Sequence, residues 1–236
     1  MAVHKEETMK KIMLLLLVPA IAPVSAASRY LGGWAVVTVD ELPDYATVRQ
    51  PLKLSFIVRQ HGMRPLDGLR PRVEARSGKV DMSVDALPVL GAGSGRYVAT
   101  LSLPQPGDWT VTIHSGFGAQ SEPTLLPLPV VDSRTAPPRA FSDADRGRRL
   151  FIAKGCFTCH VNTEVTNAQS LSIGPDLTGR RYPAEPLAKF LAHPDSIQLT
   201  RVTRPNSFKM PNLGLTEREI ASLVAMINTG RQVSVR

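Results

Sequence analysis

Alternating apolar and polar residues mark the first half of the chain. The segment PLKLSFIVRQ places Leu52, Leu54, Phe56 and Val58 on one face of an extended backbone. The segments RYVATLSLP and DWTVTIHSGF repeat this two-residue period, and the turn sequence QPGD separates them. Four further segments are candidate strands: WAVVTVD, PRVEARS, KVDMSVDAL and TLLPLPVV. About seven short strands in about 100 residues predict an immunoglobulin-like β-sandwich.

The second half changes to a helical period. Ser142 is a candidate N-cap ahead of RGRRLFIAK, and AEPLAKFLAH has the length and composition of a second short helix. Thr216 and Glu219 form a capping box ahead of apolar residues at helical spacing, and Gly230 is the expected C-cap. Three short helices with long loops bury little core for about 95 residues, so we expect another group to fill the centre.

The amino terminus has the features of an export signal. Lys10 and Lys11 precede an apolar run of about 13 residues, and VSA supplies the small residues of a cleavage site. The run is shorter than the roughly 20 residues of a spanning helix. Residues 1–26 therefore predict a cleaved signal peptide and a periplasmic protein. An uncleaved membrane anchor is the alternative, and Met9 is an alternative start.

Composition and charge divide the remaining chain into two domains. The proline-rich segment VDSRTAPPRA predicts a linker at residues 133–140, between a β-sandwich domain at 27–132 and a helical domain at 141–236. The formal net charge is +8, but no Lys/Arg run interleaved with aromatic residues is present, so nucleic acid is not an expected partner. The basic helical domain could dock an acidic protein surface, and a simply solvated basic surface is the alternative.

The first domain contains four side chains that copper would favour, namely His61, Met63, Met82 and His114. Strand alternation places His61 and His114 on the faces that point away from the predicted core. We therefore expect solvent-exposed histidines rather than a metal site.

Both cysteines of the chain lie in the segment KGCFTCHVN. A zinc site needs four ligands, and the remaining ones would have to come from His160, His193 or carboxylates at an unusual spacing. A thioredoxin-type pair would lie near a βαβ pattern, which the sequence lacks. The C-x-x-C-H spacing is that of covalent haem attachment. Cys156 and Cys159 would form thioethers with the two vinyl groups, and His160 would bind the iron.

Residues 140–230 resemble the class I cytochromes c. The motifs RGRRLFIAKGCFTCH, GPDLTG and MPNLGLTEREIASLVAMI occur in the order and spacing of that family. The resemblance implies three helices around one haem c, with His160 and Met210 as the two axial ligands. It also implies that the Pro175 carbonyl accepts a hydrogen bond from the His160 ring, and that Leu177 packs on the haem edge.

Some positions differ from the family or remain open. The last helix has Met226 where the family usually has an aromatic residue, and we expect this methionine to pack in the core. His193 is a rival axial ligand, although its place at a helix end favours the surface. Arg180 and Arg181 are candidate partners of the haem propionates, with an ordinary surface role as the alternative.

The first domain resembles the YtkA-like or FixH-like sandwich modules in GGWAVVTVDELP, RQHGMRPLDGLRP and GDWTVTIHSGFG. Together, the two resemblances imply an exported mono-haem cytochrome that transfers single electrons between redox proteins. We expect it to work within or docked to a respiratory or oxidoreductase complex, which could be a membrane complex, and to have no small-molecule substrate and no enzyme activity. The alternatives are a haem-based gas or redox sensor, or a metal-handling protein that uses the sandwich.

Overall fold

The computed structural model describes five stretches of the chain, which are residues 33–89, 94–118, 122–168, 170–195 and 209–229. The predicted signal peptide at 1–26 and the expected helix C-cap Gly230 lie outside the described residues. Within these stretches, no helix combines the length and the apolar character needed to cross a membrane.

The amino-terminal half of the described chain is built from β-strands in two sheets. One sheet has the strand order β1-β3-β8-β7, with β4 paired to β3, and the other has the order β2-β10-β9-β5-β6. We call this part the β domain. Its strands are β1 (Ala35–Val39), β2 (Ala46–Thr47), β3 (Pro51–Gln60), β4 (Arg64–Pro65), β5 (Arg72–Ser77), β6 (Val80–Asp85), β7 (Leu87–Pro88), β8 (Arg96–Ser102), β9 (Gly107–His114) and β10 (Leu128–Val131).

The inward faces of the long strands match the alternation in the sequence. In the antiparallel pair of β3 and β8, Phe56 lies opposite Tyr97, and their rings stack with centroids 6.0 Å apart. Both side chains are buried, as is Trp109 on β9, whose indole N–H donates to the Gln105 carbonyl at 3.0 Å. The Tyr97 hydroxyl donates to the Leu66 carbonyl at 2.7 Å, so these buried polar groups are satisfied. The predicted core-facing residues of these strands are confirmed.

Three helices follow in the described residues: α1 (Asp143–Ala153), α2 (Ala184–Ala192) and α3 (Glu217–Thr229). The Ser142 side chain accepts from the Asp145 N–H at 3.2 Å, which confirms the predicted N-cap of α1. The capping box of α3 is also confirmed. The Glu219 carboxylate accepts from the Thr216 N–H at 2.9 Å, and the Thr216 hydroxyl accepts from the Glu219 N–H at 3.3 Å.

Helices α1 and α3 cross at a glycine. A Cβ atom at Gly147 would lie 2.5 Å from Met226 Cβ, so only glycine permits this approach of the two helices. Met226 is itself buried, and its sulfur lies 3.8 Å from the side-chain nitrogen of the buried Asn162. The expectation that Met226 packs in the core is therefore confirmed.

The β domain and the helices belong to one compact unit. Arg146 on α1 forms an ion pair with Asp44, and the neighbouring Arg149 donates to the Pro127 carbonyl at 2.6 Å. Residues 132–140, which include the predicted linker, are largely exposed and have no regular secondary structure. The two halves are therefore joined by side-chain contacts in addition to this connecting segment.

The two histidines of the β domain are half-buried, so the prediction that they are solvent-exposed is wrong. His61 lies one residue beyond β3 with a φ of 53°, and its ring centroid is 5.2 Å from that of Trp34. Strand alternation does not apply to it, because the strand has already ended. His114 ends β9 between two carboxylates, with Nε2 3.2 Å from Glu74 Oε2 and Nδ1 3.1 Å from Glu122 Oε2.

Candidate functional site

The candidate site begins where α1 ends. The Lys154 N–H still donates to the Leu150 carbonyl at 2.8 Å, and Gly155 then adopts the left-handed conformation with a φ of 78°. A Cβ atom at Gly155 would also lie 2.7 Å from the Val37 carbonyl oxygen of β1. Glycine is thus required here both by the backbone angle and by the close approach of the β domain. The chain continues directly into a 3₁₀ turn over Cys156–Thr158.

The two cysteines are free thiols, and both residues are half-buried. Burial raises the pKa of Cys156 to about 12, with a smaller contribution from Cys159, and burial also raises the pKa of Cys159 to about 11. Both sulfurs are therefore uncharged near neutral pH, whereas a thiolate is the reactive and metal-binding form. A thioether sulfur carries no charge, so this environment fits a covalent attachment through sulfur.

The imidazole of His160 is oriented by a backbone carbonyl. Its Nδ1 lies 2.9 Å from the Pro175 carbonyl oxygen. Because a carbonyl can only accept, Nδ1 carries the proton and Nε2 keeps its lone pair for a metal. Burial lowers the pKa of His160, and this effect outweighs the hydrogen bond to Pro175, which acts in the opposite direction. The ring is therefore held in the neutral form that binds iron.

A glycine provides the space for this ring. A Cβ atom at Gly174 would lie 2.6 Å from His160 Nδ1 and 2.8 Å from Nε2, well inside van der Waals contact. The Gly174 N–H donates to the Cys159 carbonyl at 2.9 Å, and the Leu177 N–H donates to the Val161 carbonyl at 2.8 Å. The GPDL segment is thereby tied alongside the cysteine segment by the backbone. Leu177 is half-buried against the core.

Met210 lies in the loop that precedes α3 and is half-buried against the hydrophobic core. The segment that connects it to α2 contains residues 196–208, which lie outside the described residues. The next residue, Pro211, packs against the β domain, since a Cβ atom at Gly62 would lie 2.9 Å from Pro211 Cγ. The methionine loop therefore contacts both the helical core and the β domain.

The remaining candidates are at the surface. Arg180, Arg181 and His193 are exposed. Arg180 nevertheless stays close to the GPDL segment, because its N–H donates to the Leu177 carbonyl at 3.1 Å. Among the described residues, no group of three or more His, Cys, Asp or Glu side chains is arranged to hold a metal ion.

Sequence reasoning missed the role of Lys154. This lysine is only 3% exposed, and its Nζ lies 2.7 Å from Glu219 Oε1 and 2.7 Å from the Asp40 carbonyl oxygen. It thus joins the end of α1, the start of α3 and the residue after β1. No motif marks a buried lysine. The sequence offers no other signal, because the partners of this lysine, Glu219 and Asp40, come from different elements.

The comparisons with known proteins bear mainly on the helical part. Residues 144–231 match the family model described as Cytochrome c. No curated protein matches the chain significantly.

Two solved structures were found to be similar over 42% of this chain, each at 15% identity. The native conformation of the E. coli alpha-2-macroglobulin has a TM-score of 0.34, and the match covers 6% of that much longer protein. The CARDB domain of the PF1109 protein from Pyrococcus furiosus, solved with di-metal ions, has a TM-score of 0.24 with 94% of that domain covered. Likenesses this weak carry no argument about function.

The uncharged, half-buried thiols, the oriented imidazole and the space that Gly174 leaves for it fit a haem group, and they lie inside the matched segment. Residues 144–231 therefore form a cytochrome c domain, which holds haem c covalently.

Proposed function

We propose that this protein is an exported mono-haem c-type cytochrome that transfers single electrons between redox partners. Cys156 and Cys159 form the two thioethers, and His160 and Met210 are the axial ligands of the iron. The observation that carries the proposal is the His160 ring, whose Nδ1 is committed to the Pro175 carbonyl at 2.9 Å while Nε2 remains available. When bound, the haem supplies a one-electron redox centre.

The chain's own residues prepare this centre for electron transfer rather than for substrate chemistry. Pro175 and Gly174 fix the orientation of the His160 ring, which also raises the basicity of this ligand. The soft thioether of Met210 favours the ferrous state and so raises the reduction potential. His160 and Met210 together would hold the iron without leaving a position for a substrate. Leu177 packs on the haem edge, and Arg180 and Arg181 are the candidate partners of the propionates.

The β domain completes the proposal. We assign it to the immunoglobulin-like sandwiches of the YtkA-like or FixH-like type, in line with its two five-stranded sheets. Residues 1–26 contribute only +1 of the formal net charge of +8, so the rest of the chain stays basic, which supports a partner with an acidic docking surface, within or beside a respiratory or oxidoreductase complex. Residues 1–26 act as the export signal for the periplasm.

The deciding experiment replaces the sixth ligand. The purified holoprotein should be low-spin in both oxidation states, show the weak near-infrared sulfur-to-iron band when ferric, and resist carbon monoxide when ferrous. Met210→Ala should abolish the band, admit carbon monoxide and lower the reduction potential, because the soft donor is lost. Met63→Ala is the matched control, because Met63 is 61% exposed in the β domain. Met226→Leu controls for a buried methionine and nearly conserves volume.

Two results would contradict the proposal. If the unmutated holoprotein bound carbon monoxide rapidly, the distal position would be open, and the alternative of a gas sensor would replace electron transfer. If His193→Ala rather than Met210→Ala removed the sixth ligand, the axial assignment would be wrong while the carrier function remained.

A further inference from the structure

Strand β1 is buried on both of its faces, which is unusual for a strand at the edge of a two-sheet domain. Ala35, Val37 and Val39 point into the hydrophobic core of the β domain. Val36 points the other way, yet it is only 2% exposed. A Cβ atom at Gly155 would overlap with Val36 Cγ1, so this methyl group lies directly on the residue that precedes Cys156. The cysteine segment is therefore what covers the outer face of β1.

The same corner of the β domain contacts the methionine loop. Gly62 follows β3, and a Cβ atom there would lie 2.9 Å from Pro211 Cγ and 3.5 Å from Val36 Cγ2. Val36 and Gly62 together form what we call the Val36–Gly62 corner. One side of this corner touches the segment that carries the cysteines, and the other side touches the residue that follows Met210.

Polar contacts reinforce this arrangement a few residues away. Lys154 binds the Asp40 carbonyl at the end of β1 and the Glu219 carboxylate at the start of α3, both at 2.7 Å. Glu219 is also the capping residue of Thr216, where the loop after Met210 becomes helical. The methionine loop is thus linked to the β domain at its start, where Pro211 contacts Gly62, and at its end, where Glu219 binds Lys154, which in turn binds the Asp40 carbonyl.

We propose that the Val36–Gly62 corner is a positioning element for the axial methionine, which sets the distance between the Met210 loop and the cysteine segment. This inference rests on the proposed axial role of Met210. Val36, Gly62 and Lys154 are not among the residues that we propose to hold the haem. They act through Pro211 and Gly155.

The physical reason is preorganisation. Met210 lies on a loop rather than within a helix, so its thioether reaches the iron reliably only if another element restrains that loop. A loosely held loop exchanges between a ligated state and an open state, and the open fraction sets both the apparent potential and the access of an external ligand. In this protein, the β domain supplies the restraint. The β domain therefore contributes to the redox properties and is more than a spacer.

The test compares two valine truncations in the full-length holoprotein. Val36→Ala removes the methyl group that lies on Gly155, and Val73→Ala removes the same atoms from a buried position on β5. Both variants should lose similar thermal stability. Only Val36→Ala should weaken the near-infrared band, lower the reduction potential and increase the rate of carbon monoxide binding by roughly tenfold, as expected from the loss of two buried carbon atoms.

The outcomes separate this inference from the proposed function. If the unmutated protein shows the sulfur-to-iron band but Val36→Ala and Val73→Ala behave alike, the positioning role is refuted and the axial assignment stands. If the unmutated protein lacks the band, the axial assignment itself fails. If Val36→Ala cannot be purified, Lys154→Met against the exposed Lys189→Met provides the same comparison. Equal carbon monoxide rates in that pair would refute the inference.

Discussion

Breaking the buried contact of Lys154 should destabilise the whole protein, and the size of the effect follows from its surroundings. The Nζ atom makes two close contacts at 2.7 Å, with Glu219 Oε1 and the Asp40 carbonyl. The lysine side chain is 3% exposed and that of Glu219 is 15% exposed, so solvent screens this pair only weakly. Lys154→Met keeps most of the side-chain volume but leaves a carboxylate and a carbonyl without their cation.

Removal of one partner of a buried ion pair typically costs about 3–5 kcal/mol, because the other charge stays buried and uncompensated. We expect about 3 kcal/mol here, since Glu219 retains some contact with water and keeps its capping hydrogen bonds. For a protein of this size, that loss corresponds to a fall in Tm of roughly 10 °C. Thermal and denaturant unfolding of the holoprotein, followed by circular dichroism, would measure it.

Two comparisons sharpen this prediction. Lys189→Met removes a lysine from an ion pair of the same 2.7 Å length, but the Lys189 and Glu185 side chains are 68% and 78% exposed. Its cost should stay below about 1 kcal/mol. Adding Glu219→Gln to Lys154→Met should restore more than half of the loss, because glutamine keeps a capping oxygen without the stranded charge. A Lys154→Met cost no larger than that of Lys189→Met would refute the reasoning.

Two further predictions concern the haem site. Cys156→Ala combined with Cys159→Ala should abolish covalent haem, so that a denaturing gel stained for haem peroxidase activity shows no band; a positive band would contradict attachment at these residues. Gly174→Ala should push the His160 ring away from the Pro175 carbonyl at an overpacking cost of about 1–3 kcal/mol, with a lower holoprotein yield and a shifted reduction potential. Gly68→Ala, at a φ of 74° with open space around it, is the control and should alter neither measurement. An unchanged reduction potential in Gly174→Ala would show that the added methyl group does not displace the His160 ring, and would contradict this prediction.

Local sequence signals predicted the elements well. The period of two in β3, β8 and β9 places large apolar groups on one face, and burial of those groups decides which face turns inward. The caps of α1 and α3 could be assigned because Ser142, Thr216 and Glu219 act on backbone groups only three residues away. Interactions this short in sequence are visible without a structure.

Contacts between distant parts of the chain were not predictable in the same way. The sequence shows β1 as a continuous apolar run, but nothing in it says that Val36 is covered by Gly155, more than 100 residues later. Gly155 ends α1 with a left-handed backbone that favours glycine. Its close approach to the Val37 carbonyl also excludes a side chain, and the sequence does not show this second constraint. The exposure of His61 was predicted wrongly because β3 ends one residue before it.

The residues of the candidate site also divide into those that local sequence patterns reveal and those that depend on contacts between distant parts of the chain. The spacing of Cys156, Cys159 and His160 could be read directly, and the resemblance supplied Pro175 and Met210. The buried Lys154 could not be found, because a lysine is rarely buried and its two partners come from different elements.

The exposed segment at residues 132–140 connects the β domain to the helices. If it were the only connection, the haem domain could change its position relative to the β domain and move between a donor and an acceptor. The nine residues of this segment, if fully extended, could reach about 30 Å. The contacts of Val36, Asp40 and Asp44 with the helices remove that freedom. In the proposed electron transfer, donor and acceptor would therefore each have to reach the haem on a body of fixed shape. The rate of that transfer should be insensitive to the length of the connecting segment.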